Sequence, residues 1–438
     1  MKLKRWVKIL IILFILVSIS ITIFLVISNS SKKNKKENED IESLKDISEV
    51  IYERLNNEIN KDFLLWVNDN YSDSLLKLNE LLDTREYSES LWHETTGYSW
   101  VVLNDLYNKK YENMDNVKII DSKNPSIISI IGDVSLADNW YIMPKYDERN
   151  KKILGILSEK VVNTMNQSDL MIVNSEFTVS NRGKALSGKQ YTFRAKPERL
   201  SIYGEMGVDL VTLANNHVYD FGKDAFLDML DAFDNYKIPR IGAGHNIEEA
   251  KKPYYFIVNG YKFAFINATR AEKYIMTPEA GENSPGVFRC YDSTNLENVI
   301  SELKKESDYV ITIVHFGKEG SHELEDEQVA SAKRYIDKGA DAVVGHHAHV
   351  LQGIEFYNNK PIVYNLGDFI FNANTEETAM FQMKLNYDGS FEYYILPALQ
   401  TGCYTDFLND NEKQKLIDKI NSWSINAFIN ADGKIIQK

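Results

Sequence analysis

Beyond Pro125 the chain alternates between short apolar runs and segments with helical spacing. The runs are rich in β-branched residues and predict strands at Ile127–Ile131, Leu170–Val173, Leu210–Leu213, Phe263–Asn267, Val310–Val314 and Ala342–Val344. Amphipathic helices are predicted between several of them, at Lys151–Asn166, Lys223–Phe233, Leu296–Glu306 and Glu325–Lys338. Hairpin turns are predicted at Asn259-Gly260, Asn358-Asn359 and Asp388-Gly389. This alternation is typical of an α/β domain with a largely parallel or mixed sheet.

The N-terminus has the pattern of a membrane anchor. Lysines and an arginine precede Ile9–Ile27, an uncharged and almost wholly apolar stretch of 19 residues, which is about the length that crosses the hydrocarbon core as a helix. The following residues Ser28-Asn29-Ser30-Ser31 lack a signal-peptide cleavage pattern, so we expect the anchor to remain uncleaved. We expect a single-pass protein of the cell membrane with its large C-terminal part outside the cytoplasm. The lysines at 32–36 place positive charge on the far side too, so the charge pattern supports this orientation only weakly.

Between the anchor and the α/β domain lies a charged linker, followed by a helical region. Apolar residues recur at spacings of three and four over residues 41–115, with neither Pro nor Gly before Gly97. We predict a small bundle of two to four helices, whose role the sequence does not reveal. The expected organisation is an anchor over 1–31, a linker and membrane-proximal helical region over 32–120, the main domain over 125–400, and a helical extension over 401–438 that packs on it.

Composition narrows the range of functions. Hydrophobic residues make up 44% of the chain and charged residues 26%, which is typical of a folded protein. The formal net charge of -13 argues against nucleic acid as a partner, because no excess of basic residues is present to neutralise phosphates. The chain has two cysteines, Cys290 and Cys403, and whether they pair remains open.

Polar side chains that suit metal binding cluster at the ends of five predicted strands. The candidate ligands are Asp133, Glu176, Asn216, His315, His347 and His349. Ligands of α/β sheets bind beyond the carboxyl ends of the strands, where loops bring such side chains together. Imidazoles mixed with oxygen donors, without thiolates, favour Mn, Zn or Fe. One catalytic zinc ordinarily takes three protein ligands, so six fit two ions that share a bridging carboxylate.

Two further residues complete the candidate site. His217 directly follows Asn216, so the two side chains do not ordinarily face one ion, and we expect His217 to face substrate and donate a proton. Arg194 is a candidate anion contact, although a solvated loop arginine has the same pattern. Each residue alone also has a structural explanation, such as a turn aspartate or a hydrogen-bonded histidine. Their coincidence at five strand ends favours a metal site.

The segment from Ile127 to Phe371 resembles the capsule-synthesis protein CapA family, the poly-γ-glutamate biosynthesis group of calcineurin-like metallophosphatases. The motifs that carry the resemblance are IGDVSL at 131–136, VNSEFTVS at 173–180, VDLVTLANNHVYDFG at 208–222, VHFGKE at 314–319 and GHHAHVLQGIEFYNNKPIVYNLGDFIF at 345–371. The resemblance implies a four-layer sandwich with mixed sheets (α+β in the broader sense) and a membrane-attached protein.

The resemblance also implies roles for the candidate residues. Asp133 and His349 would bind a first metal, and Glu176 would bridge it to a second. The second metal would be completed by Asn216, His315 and His347, while His217 would contact phosphate and donate a proton. The sequence departs from the usual metallophosphatase pattern at two positions, because Ser135 stands where Asp-x-His has histidine and a Glu replaces the bridging Asp.

Two functions from different classes follow from this sequence. The first is a membrane-anchored accessory protein in the synthesis or export of poly-γ-glutamate or a related anionic capsule polymer, working with other membrane components. The second is an extracytoplasmic metal-dependent hydrolase that cleaves a phosphoester or the polymer. A structural wall protein without a site is a third hypothesis, and it predicts that alanine at His347 and His349 has no effect.

Overall fold

The structure is a computed structural model that describes residues 47–56, 58–71, 73–120, 125–272 and 276–438. The predicted anchor at 1–31 and the charged linker at 32–40 lie outside these residues. Within the described ranges, no helix is both long enough and apolar enough to cross a membrane.

The described residues divide into two compact units, of which the first ends at Gly97 and the second begins at Tyr98. In the first unit, residues 47–54 are helical, followed by α1 (Lys61–Asn70), α2 (Ser74–Leu82) and α3 (Ser90–Thr96). The Asn60 side chain caps α1 by accepting a hydrogen bond from the backbone N–H of Asp62. Phe63 packs edge-on against Trp92 with their ring centroids 5.6 Å apart. The predicted helical region to residue 120 thus extends past the first unit, because α4 (Trp100–Tyr107) belongs to the second.

The second unit contains the remaining helices and all the strands of the described residues. Its further helices are α5 (Ile142–Arg149), α6 (Glu159–Asn166), α7 (Ser201–Glu205), α8 (Lys223–Asn235), α9 (Ile247–Ala250), α10 (Thr294–Lys305), α11 (Asp326–Asp337) and α12 (Asp410–Trp423). The helix predicted over 151–166 is interrupted: a 3-10 turn at Lys152–Gly155 precedes α6, whose first turn is capped by the Ser158 side chain.

The strands, in chain order, are β1 (Val117–Ile120), β2 (Ser126–Val134), β3 (Leu170–Ser175), β4 (Thr178–Val179), β5 (Arg194–Ala195), β6 (Leu210–Thr212), β7 (Arg240–Ile241), β8 (Ala243–Gly244), β9 (Tyr254–Val258), β10 (Tyr261–Thr269), β11 (Gly286–Val287), β12 (Tyr309–Phe316), β13 (Ala342–His347), β14 (Ile354–Tyr357), β15 (Lys360–Val363), β16 (Asp368–Ile370), β17 (Glu376–Leu385), β18 (Phe391–Gln400), β19 (Thr405–Phe407), β20 (Ala427–Ile429) and β21 (Lys434–Gln437). All six predicted strands are present. The three predicted hairpins are confirmed as well, joining β9 to β10, β14 to β15 and β17 to β18.

Two large mixed sheets form the domain. The ten-stranded sheet has the path β20-β21-β18-β17-β2-β3-β6-β7, with β16 beside β2 and β19 beside β18. The seven-stranded sheet has the order β1-β9-β10-β12-β13-β15-β14. Neighbouring strands β2, β3 and β6 are parallel in the first sheet, as are β10, β12 and β13 in the second. Their carboxyl ends therefore meet at one edge of each sheet.

Three buried clusters define four layers. The central cluster joins the two sheets, with Ile130 and Ile172 from one and Phe265 and Ile313 from the other. A second cluster packs helices such as α8 on the outer face of the ten-stranded sheet. The third packs α10 and α11 on the outer face of the seven-stranded sheet. The order helix, sheet, sheet, helix is the mixed α/β sandwich predicted from the sequence.

The C-terminal segment differs from the prediction. Residues 401–438 contain helix α12, but they also supply β19, β20 and β21 to the ten-stranded sheet. The segment was predicted as a helical extension because its strands are only three or four residues long, too short for an alternating pattern to stand out.

Candidate functional site

The candidate ligands come from neighbouring strands of both sheets. Asp133 lies near the end of β2, opposite Asn174 of β3 in the parallel ladder. His315 and His347 lie inside β12 and β13, rather than beyond them, and the backbones of Phe316 and His347 are paired. Backbone pairing between the strands thus continues beyond the apolar runs of the sequence. It places these imidazoles on strands instead of loops.

One oxygen of Glu176 is the centre of the site. Glu176 is fully buried, and its Oε1 makes no hydrogen bond within the described part of the chain. The Nε2 atoms of three histidines surround this oxygen, at 3.4 Å for His315, 3.7 Å for His349 and 4.0 Å for His217. A buried carboxylate oxygen without a hydrogen bond is costly unless another ligand compensates its charge.

Asn174 holds the two buried carboxylates beside each other. Its amide Nδ2 donates to Asp133 Oδ1 at 2.8 Å and to Glu176 Oε2 at 3.1 Å. The other oxygen of Asp133 accepts a hydrogen bond from the backbone N–H of His347 at 3.1 Å. The second oxygen of Glu176 therefore remains directed towards the imidazoles. On the same side, Asn216 Oδ1 lies 2.8 Å from His315 Nε2.

The three histidines after Gly345 diverge in direction. The Nε2 of His346 contacts the carbonyl oxygen of Ile131 at 2.9 Å, which is a structural hydrogen bond. His347 and His349 face the site, and their ring centroids lie 6.2 Å apart. Both adopt positive φ, 97° and 58°, which non-glycine residues rarely do. Such backbone strain concentrates at functional sites.

His217 belongs to a buried hydrogen-bonded chain. Its Nδ1 lies 2.8 Å from Asp220 Oδ2, which leaves Nε2 facing the Glu176 carboxylate. The other oxygen of Asp220 pairs with Lys189 Nζ at 2.8 Å, and that ammonium also pairs with Glu272 at 3.0 Å. The ring of Phe193 packs on His217 with centroids 4.5 Å apart. These contacts fix the orientation of the imidazole. Asp220 and Lys189 were not assigned roles from the sequence, although Asp220 follows His217 by three residues.

Asp368 is a further residue of this site that the sequence analysis missed. Its Oδ1 lies 2.7 Å from His349 Nδ1, and its backbone is paired with that of Asp133. The sequence does carry a signal, because Gly367-Asp368 repeats the Gly132-Asp133 pattern after an apolar run. The long separation between the two pairs hides their proximity.

Burial and neighbouring charges shift several pKa values in the site. Burial, with the Asp133 carboxylate adding to it, raises the pKa of Glu176 well above its ordinary value. Burial likewise raises the pKa of Asp368 to about 7. Burial lowers the pKa of His315 and of His347 well below the ordinary value, so both rings stay neutral with a free lone pair.

Burial and neighbouring carboxylates shift the pKa values of His217 and His349 in opposite directions, and the net shift differs between the two residues. Burial lowers the pKa of His217 and outweighs the Asp220 carboxylate, which acts in the opposite direction. Burial alone would also lower the pKa of His349, but the carboxylates of Asp368 and Glu176 outweigh it and raise that pKa well above the ordinary value. His349 is therefore the imidazole that carries positive charge among these acids.

Arg194 lies in β5, directly after Phe193, whose ring packs on His217. Its guanidinium lies over the Phe221 ring at 4.3 Å and donates to the carbonyl oxygens of Arg182 and Gly183 at 3.4 and 3.5 Å. These contacts account for its position in the described structure without involving the predicted ligands.

The donor set fits divalent metal ions. Three groups of side chains bring ligand atoms within 4.8 Å of one another: Asp133 with Glu176 and His315, Glu176 with His347 and His349, and Asp133 with His349 and Asp368. Imidazole nitrogens together with carboxylate oxygens form a ligand set that suits Mn, Zn or Fe ions. When bound, such an ion supplies a Lewis acid that polarises a phosphoryl or carbonyl oxygen.

Comparison with known proteins agrees with the sequence motifs. A family model described as bacterial capsule synthesis protein PGA_cap matches residues 127–373. The PGA biosynthesis protein CapA of Bacillus subtilis strain 168 is 29% identical over 316 residues, which span 70% of this chain and 80% of that protein. The capsule biosynthesis protein CapA of Bacillus anthracis is 31% identical over 215 residues, which span 48% of this chain and 52% of that protein.

A search of solved structures finds weaker likeness. A putative 5'-nucleotidase from Staphylococcus aureus, solved with alpha-ketoglutarate, aligns with a TM-score of 0.42 and 15% identity over 68% of this chain and 59% of that one.

Proposed function

Since the chain belongs to the bacterial capsule synthesis protein family PGA_cap, we propose that it takes part in the synthesis or export of poly-γ-glutamate or a related anionic capsule polymer. The relatives of Bacillus subtilis and Bacillus anthracis are named for PGA biosynthesis and capsule biosynthesis. The match spans 80% of the Bacillus subtilis protein and 52% of the Bacillus anthracis protein. We further propose that the activity depends on one or two divalent metal ions bound by the site.

The arrangement around Glu176 carries the metal part of this proposal. Its Oε1 is buried without a hydrogen bond inside the described ranges, and three imidazole Nε2 atoms lie within 4.0 Å of it. Histidines without a metal-binding role would not be expected around a buried carboxylate, because burying an isolated charge costs several kcal/mol or more. Bound cations would also offset the acidity of the domain where an anionic polymer approaches.

The proposal places the domain outside the cell. The apolar stretch Ile9–Ile27 has the length of a membrane-crossing helix, and the folded domain follows it. The partners are then the membrane, other membrane components of a polymer synthesis or export complex, and the anionic polymer itself.

A complementation experiment tests the proposal. A strain that lacks this chain is supplied with the wild type, His347→Ala, Glu176→Gln or the control His245→Ala, which changes an exposed histidine paired with Glu249. Cell-surface polymer and the amount of protein in the membrane are measured together. We expect the control to restore polymer and the two site variants to fail at equal protein levels. Full restoration by both site variants would show that the metal site has no part in this function.

A hydrolase is the second candidate, and the His217–Asp220 pair favours it. The imidazole is oriented through Nδ1 by a buried carboxylate, so its Nε2 is available to a substrate beside the Glu176 ligand cluster. This is the arrangement expected of a group that donates a proton to a leaving oxygen. The test is hydrolysis of generic phosphoesters and of polyglutamate by the purified full chain, with and without added Mn²⁺ or Zn²⁺. No metal-stimulated hydrolysis of either substrate would remove this candidate.

A further inference from the structure

The position of Asp368 is set by a close approach of two strands. Strand β16 pairs with β2, and Asp368 lies opposite Asp133 in the register. A Cβ atom at Gly132 would lie 1.9 Å from the carbonyl oxygen of Gly367, so only glycine permits this spacing. The fold therefore places two Gly-Asp pairs, from distant parts of the chain, side by side.

The Asp368 carboxylate faces the ligand cluster through one oxygen. Its Oδ2 accepts a hydrogen bond from the Asn372 amide at 2.9 Å, which fixes the carboxylate plane. Its Oδ1 lies 2.7 Å from His349 Nδ1, and that nitrogen lies 3.6 Å from Asp133 Oδ2. Asp368 is only 2% exposed, so it does not form an ordinary surface acid cluster.

Ser135 lies beside the strand that carries Asp368. Ser135 is buried, and its hydroxyl makes no hydrogen bond among the described residues. Its backbone N–H donates to the carbonyl oxygen of Ile370, in the same strand as Asp368. Strand β16 thus runs directly beside position 135, so a side chain introduced there would lie near Asp368.

We infer that Asp368 completes one metal subsite together with Asp133 and His349. This inference rests on the metal site proposed above. His315, Asn216 and His347 would hold the other ion, and Glu176 would be shared between the two. Glu176 Oε1 has no hydrogen bond among the described residues and lies 3.7 Å from His349 Nε2, which supplies the independent sign that a cation belongs between these groups.

The experiment measures metal stoichiometry in the full chain purified in detergent. Wild type, Asp368→Asn, Ser135→His and the double variant are saturated with Mn²⁺, freed of excess metal and analysed for Mn per chain. Electron paramagnetic resonance reports whether two bound Mn²⁺ ions are magnetically coupled. We expect two coupled ions in the wild type, one uncoupled ion in Asp368→Asn, and two ions again in the double variant, in which the introduced imidazole replaces the carboxylate.

Asp432→Asn is the matched control, because it makes the same carboxylate-to-amide change at an exposed aspartate in the turn between β20 and β21. We expect it to keep two ions. Asp368→Glu gives an independent comparison if the asparagine variant folds poorly. It moves the carboxylate by one methylene, and we expect at least a tenfold loss of affinity for the second ion alone.

The outcomes separate this inference from the proposed function. Two ions in Asp368→Asn at saturating Mn²⁺ would show that Asp368 only orients His349, and a wild type with a single ion would also overturn the subsite. In both cases the proposed metal site would stand. A wild type that binds no Mn²⁺ or Zn²⁺ would instead overturn the metal site itself.

Discussion

The Nε2 atom of His315 lies 3.4 Å from the Oε1 atom of Glu176 inside the domain, where both side chains are at most 1% exposed. The two residues come from different sheets, since Glu176 follows β3 and His315 lies within β12. Without a cation, this contact leaves a buried carboxylate that burial already disfavours as an anion. A bound metal ion would satisfy both groups at once, which links metal binding to the stability of the sandwich.

Glu176→Gln is therefore expected to separate stability from metal binding. Replacing the carboxyl group by an amide of similar shape removes a charge that is costly to bury, so the metal-free variant should be at least as stable as the wild type. Metal at a hundredfold excess over its Kd should stabilise the wild type by about 2.7 kcal/mol but have little effect on the variant. Thermal unfolding with and without Mn²⁺ measures both effects.

Glu282→Gln is the control for this substitution, because Glu282 is exposed. It should retain the full rise in melting temperature with metal. An equal rise in Glu176→Gln would contradict the central place of Glu176 in the site.

Metal affinity is expected to increase with pH. In the metal-free protein, burial raises the pKa of Glu176 well above its ordinary value and that of Asp368 to about 7, and neighbouring carboxylates raise the pKa of His349 against the effect of burial. A raised pKa means that each group keeps its proton to higher pH, and a metal ion must displace that proton. Affinity should rise by about tenfold per pH unit for each proton released.

Isothermal titration of Mn²⁺ at pH 6 and pH 7, in two buffers that differ in ionisation enthalpy, measures the affinity and the number of protons released. His315 and His347 should contribute no proton, since burial lowers the pKa of each well below the ordinary value. If the affinity were the same at both pH values, Glu176, Asp368 and His349, whose pKa values are raised, would not be ligands of the ion.

Much of the fold could be predicted from the chain because its strands are apolar runs between helices. The run Val310–Val314 predicted β12, but the strand continues through His315 and Phe316, which pair with β13. Polar residues inside a strand are hidden from pattern analysis because pairing, rather than hydrophobicity, defines the strand there.

The site could be predicted only where its residues follow recognisable runs. His347 and His349 were found because alternate positions face the same way. Asp368 was missed because its proximity to Asp133 depends on the pairing of β16 with β2. That pairing joins segments far apart in the chain, and the glycine that permits it, Gly132, looks like an ordinary turn residue in the sequence.

Gly132→Ala tests this close approach. The new Cβ would lie 1.9 Å from the carbonyl oxygen of Gly367, so β16 must move away from β2. We expect overpacking to cost about 1–3 kcal/mol of folding stability, together with a loss of metal, because Asp368 moves with its strand. Chemical denaturation and metal analysis measure the two effects.

Gly204→Ala provides the matched control, because no atom lies within 4 Å of a Cβ at that position in α7. Alanine in a helix is favoured over glycine by about 0.5–1 kcal/mol, so this variant should be equally stable or more stable and should bind metal normally. If Gly132→Ala behaved like Gly204→Ala, the strand spacing would not matter for the site.

His217→Ala distinguishes a proton donor from a metal ligand. The Nδ1 of His217 is held by Asp220 at 2.8 Å, and its Nε2 lies 4.0 Å from Glu176 Oε1, farther than those of His315 and His349. A group that protonates a leaving oxygen typically contributes about 10²–10⁴-fold to the rate. We therefore expect any metal-dependent hydrolysis to fall by a factor in that range while the metal content per chain stays unchanged.

Two further variants serve as comparisons for His217→Ala. His347→Ala should lose metal and activity together, because His347 lies in the ligand cluster. His245→Ala, which changes a partly exposed histidine paired with Glu249, should lose neither. If His217→Ala lost metal as His347→Ala does, His217 would have to be counted among the ligands, since its imidazole would then be needed to hold the ion. If it left both hydrolysis and metal intact, the oriented His217–Asp220 pair would serve only to stabilise the loop that follows β6.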